Sequence, residues 1–169
     1  MIIVRQEKLE DAIGIRRVNE QAFGRISEAN LVDKLRGREK IVLSLVALED
    51  NLIVGHILFS PAAIESGERV FHGLALAPMA VLPQFQGQGI GSLLARTGLE
   101  QCKKTGYDWV VVLGDPEYYH RFGFVPASIY GIQCEFDVSD GVFMAIELKK
   151  RGLSNQAGTV KYQPEFNEV

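Results

Sequence analysis

Apolar and polar positions change their spacing along the chain, and each change marks a new structural element. Residues 2–4 are aliphatic, which predicts a short opening strand. Residues 9–23 fit a helix, whose apolar face is predicted to include Leu9 and Ile13. A second helix is predicted to begin at Ser27, a good N-cap, and to end at Gly37.

Three strand-like runs follow the two helices. Residues 41–48 and 53–59 are rich in β-branched and aliphatic side chains, and the polar residues 49–51 between them predict a hairpin. Residues 70–82 form a longer apolar run that contains Pro78. Because proline cannot donate to a neighbouring strand, Pro78 predicts an edge, a bulge or a bend.

The next segment has helical spacing again. Residues 89–104 predict a helix, and its inward face is expected to comprise Ile90, Leu93, Leu94, Thr97 and Cys102. Residues 109–113 are continuously apolar, as in a strand that is buried on both faces. Asp115 as N-cap and Pro116 at the first helical position predict a short helix, which ends at Gly123.

Two further strands complete the predicted fold. They fit residues 124–129 and 142–148, so the element order is β-α-α-β-β-β-α-β-α-β-β. This order predicts a mixed α/β domain around one central sheet that is flanked by helices. We expect residues 1–150 to form the domain, and the polar residues 151–169 to form a C-terminal tail that packs on it.

Composition narrows the class of protein. The 169 residues carry a formal net charge of −3, which disfavours nucleic acid as a partner because nucleic-acid binding needs a concentrated basic face. No apolar run approaches the roughly 20 residues of a membrane span, and residues 1–5 lack the layout of a secretory signal. The two cysteines make no disulfide framework, and no Cys/His spacing predicts a metal site. We therefore expect a cytoplasmic protein without membrane or metal.

The most informative motif follows the strand-like run of residues 70–82. Gly87, Gly89 and Gly91 alternate just where a helical pattern begins. Glycines let the backbone approach a ligand closely, and a helix N-terminus adds unpaired N–H donors and a positive dipole end. The motif therefore predicts an anion site, which is best matched by phosphate.

Three other interpretations of this motif fit the sequence less well. A nucleoside-triphosphate loop would place a lysine before Ser92, where the chain has Gly91. A dinucleotide-binding fingerprint would follow the first strand and would need a third glycine at Ser92. A glycine-rich turn without any ligand would carry the entropic cost of three glycines for no purpose.

The wider motif resembles a known family. Gln86-x-x-Gly89-x-Gly91 is similar to the acyl-CoA pyrophosphate motif of the GNAT N-acetyltransferase superfamily. The segments at residues 80–83, 90–94 and 119–124 resemble that family too, and the likeness extends to about residue 148. Residues 28–36 and 114–119 are similar to those of small bacterial acetyltransferases of the YhbS type.

The resemblance implies an acetyl-CoA site. In this family the strand before the motif pairs its backbone with the pantetheine arm, and here the matching positions are Met79, Ala80 and Val81. The same residues would also fit an ordinary core strand, and the two roles are compatible. The pyrophosphate would be held at Gln86, Gly87, Gln88, Gly89, Ile90, Gly91 and Ser92 without a metal ion.

The resemblance also implies the chemistry. An amine would attack the thioester directly, and Tyr119 matches the family's general acid, which protonates the departing sulfur. A phenol with an ordinary pKa near 10 is protonated at pH 7 and can donate. The alternative is a tyrosine that only packs beside Phe122. Tyr118 points about 100° away on a helix, so one of the two tyrosines is expected to face the thioester.

The general base is where the chain departs from the family pattern. Some members carry a glutamate at the position of Ala75, and no carboxylate lies between Val70 and Leu82. His72 is the candidate on this strand, with a structural or surface role as its alternative. The weaker candidates are Glu28, His56, Glu65 and Glu68. A water relay would need no protein base at all.

The acceptor is not identified by the sequence. Phe23, Glu28 and Asn30 are candidate lining residues of its site, because the two N-terminal helices are expected to border it. A small amine, a peptide or a protein N-terminus all fit, and a homodimer is common in the family. The alternative function is a CoA-binding sensor or scaffold module without catalysis, which the missing strand carboxylate would suit.

Overall fold

The computed structural model describes all 169 residues. Its helices and strands run in the order β1 (Ile2–Gln6), α1 (Ala12–Phe23), α2 (Ser27–Gly37), β2 (Leu43–Glu49), β3 (Leu52–Ser66), β4 (Arg69–Val81), α3 (Ile90–Cys102), β5 (Trp109–Leu113), α4 (Pro116–Tyr119), β6 (Val125–Pro126), β7 (Ile132–Cys134), β8 (Phe143–Glu147) and β9 (Gly158–Lys161). No helix has both the length and the apolar character needed to cross a membrane.

Strand pairing confirms the predicted fold class. Hydrogen bonds connect the strands in the order β1-β2-β3-β4-β5-β8-β6, with β9 joined to β3 and to β7. Only β4–β5 and β7–β9 are parallel among the pairs whose direction is resolved. The fold is therefore mixed α/β, with a mostly antiparallel sheet and helices that flank it.

The chain divides into two compact units. The first comprises residues 1–60, 77–100 and 164–169, and the second comprises residues 61–76 and 101–163. Strands β3 and β4 each begin in one unit and end in the other.

The first unit contains β1, β2 and the first part of β3 as an antiparallel ladder. Gly55 approaches the side chains of Leu94 and Ile90 on α3, while the neighbouring His56 bonds to Asn19 of α1. Because successive side chains of a strand point to opposite faces, α1 and α3 cover opposite faces of this ladder.

The buried faces of α1 and α3 differ in part from prediction. On α1 the buried side chains are Ile15, Val18 and Asn19, so the prediction of Leu9 and Ile13 is wrong. Both are more than four-fifths exposed, and Leu9 precedes the helix proper. On α3 the prediction of Leu93 is wrong as well: it is exposed, and the buried side chains are Ile90, Leu94, Ala95, Leu99 and Cys102.

The second unit is built around β5. This strand pairs with β4 through Leu74↔Val110 and Ala75↔Val111, and with β8 along its whole length. The ring of Trp109 lies where a side chain at Gly73 would be, only 2.2 Å from an added Cβ, so this position of β4 accepts glycine alone.

The C-terminal half holds elements that the sequence pattern did not predict. The pattern predicts one strand over residues 124–129, but only Val125–Pro126 pairs with β8, and residues 127–130 form a 3-10 turn. Strands β7 and β9 are short and pair with each other, and β9 also joins β3. Residues 164–169 return to the first unit, where Glu165 bonds to Arg38 and Lys40.

Candidate active site

The glycine motif forms the connection between β4 and α3. At the end of β4 the N–H of Leu82 donates to the carbonyl of Val54 at 2.9 Å. Gly87 and Gly89 have φ values of 76° and 84°, and nothing lies within 4 Å of a Cβ added at either position. Glycine is therefore required here by backbone conformation, because an L side chain is strained at such φ values.

The first N–H groups of α3 are available to a ligand. Leu93 donates to the carbonyl of Gly89 at 3.0 Å, which is the first turn of α3. The N–H groups of Ile90, Gly91 and Ser92 precede that bond and have no acceptor within the helix. No charged residue lies from Met79 to Ala95, so the positive potential at this helix start comes from the backbone. An anion, pyrophosphate included, fits this arrangement.

The side chain of Gln86 braces the connection, that is, it hydrogen-bonds back to the end of β4. Its side-chain Nε2 donates to the carbonyl oxygen of Val81 at 2.9 Å. Backbone groups alternate sides along an antiparallel strand, and Leu82 points its N–H at β3, so Val81 and Met79 point theirs away from β3. The carbonyl of Val81 is thus engaged by Gln86, and the N–H of Val81 also points away from β3.

Tyr119 has an environment that keeps its phenol protonated. Its ring packs against Gly114, where an added Cβ would lie 2.4 Å from Cε2, and edge-on against Phe124 with ring centroids 5.8 Å apart. Partial burial raises the pKa of Tyr119 to about 12, with a smaller contribution from Tyr118. The hydroxyl makes no hydrogen bond within the protein, so it is free to donate to a bound molecule.

The short helix α4 sets the directions of the two tyrosines. Asp115 caps it by accepting from the N–H of Glu117 at 3.0 Å. The ring of Tyr118 lies under the guanidinium of Arg121, 5.2 Å from its centroid, and meets Tyr119 edge-on. The two phenols therefore have different surroundings, as the helical spacing predicts.

His72 lies on the first part of β4, within the second unit. It is exposed and lines a cleft of about 500 Å³ together with Phe71, Tyr107, Asp108 and Gln156. Asp108 forms an ion pair with Lys149 at 2.8 Å, so the carboxylate in this cleft is already engaged. The role of His72 as general base stays a prediction.

The candidate acceptor residues lie on the first two helices. Phe23 at the end of α1 is partly exposed. The carboxylate of Glu28 is buried and bound by the guanidinium of Arg25. Asn30 accepts from Arg16 at 2.9 Å. Both polar candidates therefore already have arginine partners, and their contact with an acceptor stays a prediction.

His56, a weaker candidate for the base, is fully buried. Asn19 Nδ2 donates to the carbonyl of Ile15 at 3.0 Å, which identifies this atom as the amide nitrogen that faces His56 Nδ1 at 3.2 Å. His56 Nε2 then carries the proton and donates to Ser44 Oγ at 2.9 Å. Burial lowers the pKa of His56 to about 4, so the ring is neutral at pH 7.

The same network reaches the carboxylate of Glu7. Arg36 donates to it at 2.9 and 3.2 Å, and the Ser44 hydroxyl also bonds to it. Burial acts to raise the pKa of Glu7, but these bonds outweigh it and the net shift is downward. Sequence spacing gave no signal for this chain of side chains, because its members come from five different elements or connections.

Comparison with known proteins identifies the family of this chain. Residues 41–126 match the family model of the acetyltransferase (GNAT) domain. The chain is 34% identical to the N-acetyltransferase YhbS of Escherichia coli K12 over 167 residues, which is 98% of this chain and 99% of that protein. It is also 43% identical to the N-acetyltransferase YjhQ of the same organism over 122 residues, 70% of this chain and 66% of that protein.

Solved structures agree with these sequence matches. The crystal structure of Escherichia coli YhbS in complex with CoA superimposes with a TM-score of 0.93 at 33% identity, over 98% of this chain and 92% of that one. A GNAT family acetyltransferase of Brucella melitensis in complex with acetyl-CoA gives 0.79 at 36% identity, over 98% of each chain. The predicted likeness to GNAT proteins of the YhbS type is thus confirmed, and the chain belongs to the GNAT family of N-acetyltransferases.

Proposed function

We propose that the protein transfers an acetyl group from acetyl-CoA to an amine by direct attack within a ternary complex. The observation that carries the proposal is the uncharged connection of residues 86–92, where glycine φ values and the start of α3 present backbone N–H groups to an anion. Solved relatives that bind CoA or acetyl-CoA at 33% and 36% identity support acetyl-CoA as the donor.

Acetyl-CoA supplies an activated acyl group, and the chain's own residues would hold and polarise it. Gly87, Gln88, Gly89 and the first N–H groups of α3 would hold the pyrophosphate. Met79 points its backbone groups away from β3 and would pair with the pantetheine arm. The N–H of Val81, which also points away from β3, would stabilise negative charge on the thioester oxygen during attack.

Tyr119 would supply the proton for the leaving sulfur. The amine nitrogen forms a bond to the carbonyl carbon, the carbon–sulfur bond breaks, the amine loses a proton and the sulfur takes the phenol's proton. Solvent then returns a proton to Tyr119. The unpartnered hydroxyl and the raised pKa of Tyr119 support this role, because the group stays protonated until the thiolate departs.

Direct attack is favoured over an acyl-cysteine intermediate. Cys102 is buried, and burial raises its pKa to about 12, so it forms no thiolate nucleophile near neutral pH. Cys134 is half-buried, and its pKa is raised as well. We propose that His72 or a water relay acts as the general base that takes the proton of the amine, because β4 carries no carboxylate between Val70 and Val81.

Compartment and assembly belong to the same proposal. Both cysteines are free thiols, which supports a reducing, cytoplasmic location. A homodimer is proposed from family membership alone, and light scattering on the purified protein tests it. A small-molecule or peptide amine is the proposed partner, and neither nucleic acid nor a membrane is part of the proposal.

The test is titration calorimetry with acetyl-CoA, followed by release of free thiol in the presence of an amine panel. We expect micromolar to submillimolar binding and steady thiol release with at least one amine. No binding at millimolar acetyl-CoA would contradict the proposed donor. Binding without thiol release from a broad panel of amines, peptides and proteins would instead indicate a CoA-binding module.

A further inference from the structure

Gly114 is a glycine for reasons of space and not of backbone conformation. Its φ lies outside the left-handed region that favours glycine. A Cβ added at Gly114 would lie 2.4 Å from Cε2, 3.0 Å from Cδ2 and 3.5 Å from Cζ of Tyr119. The edge of the Tyr119 ring therefore occupies the space in which any other residue at position 114 would place its side chain.

The backbone is held on both sides of this contact. Gly114 directly follows β5, and its N–H donates to the carbonyl of Val142 at 3.0 Å. The N–H of Tyr119 donates to the carbonyl of Asp115 at 3.1 Å, within the first turn of α4. Because both backbones are held by hydrogen bonds, a side chain at position 114 would act on the Tyr119 ring itself.

Other aromatic rings limit where the Tyr119 ring could move. The ring centroids of Tyr118, Phe124 and Phe122 lie 5.1, 5.8 and 6.3 Å from that of Tyr119. Phe124 is fully buried, so its ring is itself fixed by packing. Among these neighbours Gly114 is the one that presents no side chain, and the Tyr119 ring uses the space this leaves.

We propose that Gly114 and Phe124 are positioning residues for the acetyl transfer, because their contacts with the Tyr119 ring set where its phenol lies. The proposal rests on the proposed function, in which the phenolic O–H bond breaks and an S–H bond forms as the carbon–sulfur bond of the thioester breaks. Neither residue takes part in these bonds.

The size of the expected effect follows from the overlap at Gly114. Two carbon atoms in ordinary contact are about 3.5–4.0 Å apart, so a methyl group at position 114 would push the edge of the Tyr119 ring aside by about 1 Å. A misplacement of about 1 Å can cost a reaction about 10²-fold in rate. The affinity for acetyl-CoA should be spared, because none of the residues that are proposed to hold the donor is changed.

The first experiment is Gly114→Ala, assayed with acetyl-CoA and the amine that gives the fastest thiol release in the panel above. We expect kcat to fall about ten- to hundredfold, while the Kd of acetyl-CoA from calorimetry stays within about twofold. Gly98→Ala is the matched control, since its Cβ would lie 2.7 Å from Cε2 of Phe59, a ring without a proposed role in the reaction. This control should lose stability and keep kcat within about twofold.

A double-mutant cycle separates a misplaced phenol from general damage. The Tyr119→Phe protein has no phenol to misplace, so adding Gly114→Ala to it should change kcat by less than about twofold. General damage would instead lower kcat by the same factor with and without the phenol. Equal factors in the two backgrounds, or a kcat of Gly114→Ala within twofold of the unaltered protein, overturn the proposal.

Phe124→Leu tests the same positioning if Gly114→Ala does not fold. It removes the ring that meets Tyr119 edge-on and keeps an apolar side chain at the buried position. We expect kcat to fall at least threefold when the Tyr119 hydroxyl is present, and to change by less than about twofold in the Tyr119→Phe background. An unchanged kcat, or the same fall in both backgrounds, overturns the proposal.

The same measurements separate this proposal from the function on which it rests. If acetyl-CoA does not bind, or no amine of the panel releases thiol, the proposed function fails and the positioning role fails with it. If Tyr119→Phe keeps its full kcat, Tyr119 is not the acid and its neighbours position nothing for the reaction. If Tyr119→Phe loses kcat while Gly114→Ala keeps it, the positioning role alone fails.

Discussion

The side-chain amide of Gln86 donates to the carbonyl oxygen of Val81 at 2.9 Å, and this bond joins the two ends of the turn after β4. The family resemblance assigned Gln86 to the pyrophosphate site, which is a direct role. The geometry adds an indirect role, because the brace holds the connection in which Gly87 and Gly89 adopt positive φ. The N–H of Val81 itself points away from β3 at the strand end.

Gln86→Ala should weaken acetyl-CoA binding about fivefold. The change removes one hydrogen bond of about 1 kcal/mol that holds the turn in its binding conformation. Titration calorimetry measures the effect, and Gln84→Ala is the control, since Gln84 is exposed on the same turn and its side chain bonds to nothing in the protein. Equal affinities for the two variants would show that the brace is irrelevant to the donor site.

Gly89→Ala should lower acetyl-CoA affinity about tenfold. Alanine at a φ of 84° costs about 1–2 kcal/mol, and the turn would relax away from the conformation that presents its N–H groups. No atom lies within 4 Å of the added Cβ, so any loss comes from backbone conformation and not from a clash with the protein.

Gly67→Ala is the matched control for that variant. Gly67 has a φ of 61° in the turn between β3 and β4, and nothing lies within 4 Å of its added Cβ either. Both variants should lose similar free energies of unfolding, which chemical denaturation measures. Only Gly89→Ala should lose acetyl-CoA affinity. A similar loss of affinity in Gly67→Ala would show that general destabilisation of the protein, and not the conformation of the turn after β4, weakens binding.

Tyr119→Phe should lower kcat at least tenfold and leave the affinity for acetyl-CoA within about twofold. The variant keeps the ring that packs against Gly114 and Phe124 and removes only the proton donor, whose effect on a reaction of this kind is about 10²–10⁴-fold. Thiol release under saturating substrates gives kcat. Tyr118→Phe is the control, and a similar fall in the kcat of that variant would show that Tyr119 is not the specific general acid.

The main elements of the fold could be predicted because their signals are local. Alternating glycines before an apolar helix, and the Asp115–Pro116 start of α4, depend on residues that are neighbours in sequence, and the structure places both elements where the pattern predicts them. Strands β7 and β9 carry no such signal. Each has only a few residues, and their pairing partners lie more than twenty residues away along the chain.

The wrong face of α1 has a specific physical cause. Leu9 and Ile13 are apolar but exposed, while Asn19 is polar and fully buried because its amide bonds to Ile15 and His56. Periodicity counts apolar residues as inward, so it fails where a buried polar side chain finds partners from other elements. The same long-range bonds are the reason why spacing did not predict the network around His56.

Glu165→Gln should destabilise the protein by about 1–3 kcal/mol, since it weakens charge-assisted bonds to a buried carboxylate. Arg38 donates to Glu165 at 2.7 Å and Lys40 at 2.9 Å, and these bonds tie the C-terminal segment to the chain after α2. Glu168→Gln on the same segment is the control, because Glu168 is well exposed where it pairs with Lys34. Denaturant unfolding should separate the two variants.

The contribution of Glu165 should also depend on pH. Its bonds to Arg38 and Lys40 lower the pKa of Glu165 to about 2, from an ordinary value of 4.5. A carboxyl whose pKa is lower in the folded state stabilises the protein above its unfolded pKa, and that stabilisation is lost as pH falls from about 4.5 towards 2. Between pH 4.5 and 2, the free energy of unfolding should depend less steeply on pH in Glu165→Gln than in the unaltered protein.

His56 should make the protein less stable as pH falls below 6.5. This loss of stability should begin at a higher pH than the loss caused by Glu165, which begins near pH 4.5. Burial lowers the pKa of His56 from 6.5 to about 4. Between these two pH values the imidazole is therefore protonated in the unfolded chain but neutral in the folded protein. The free energy of unfolding should therefore fall as pH drops from 6.5 to about 4, by a total on the order of 3 kcal/mol for the full shift. His56→Gln should flatten this part of the profile even though its stability at pH 7 is lower, because Ser44 and Asn19 lose their ring partner. The exposed His72→Gln should keep the slope, and a profile unchanged by His56→Gln would show that another group sets the acid sensitivity.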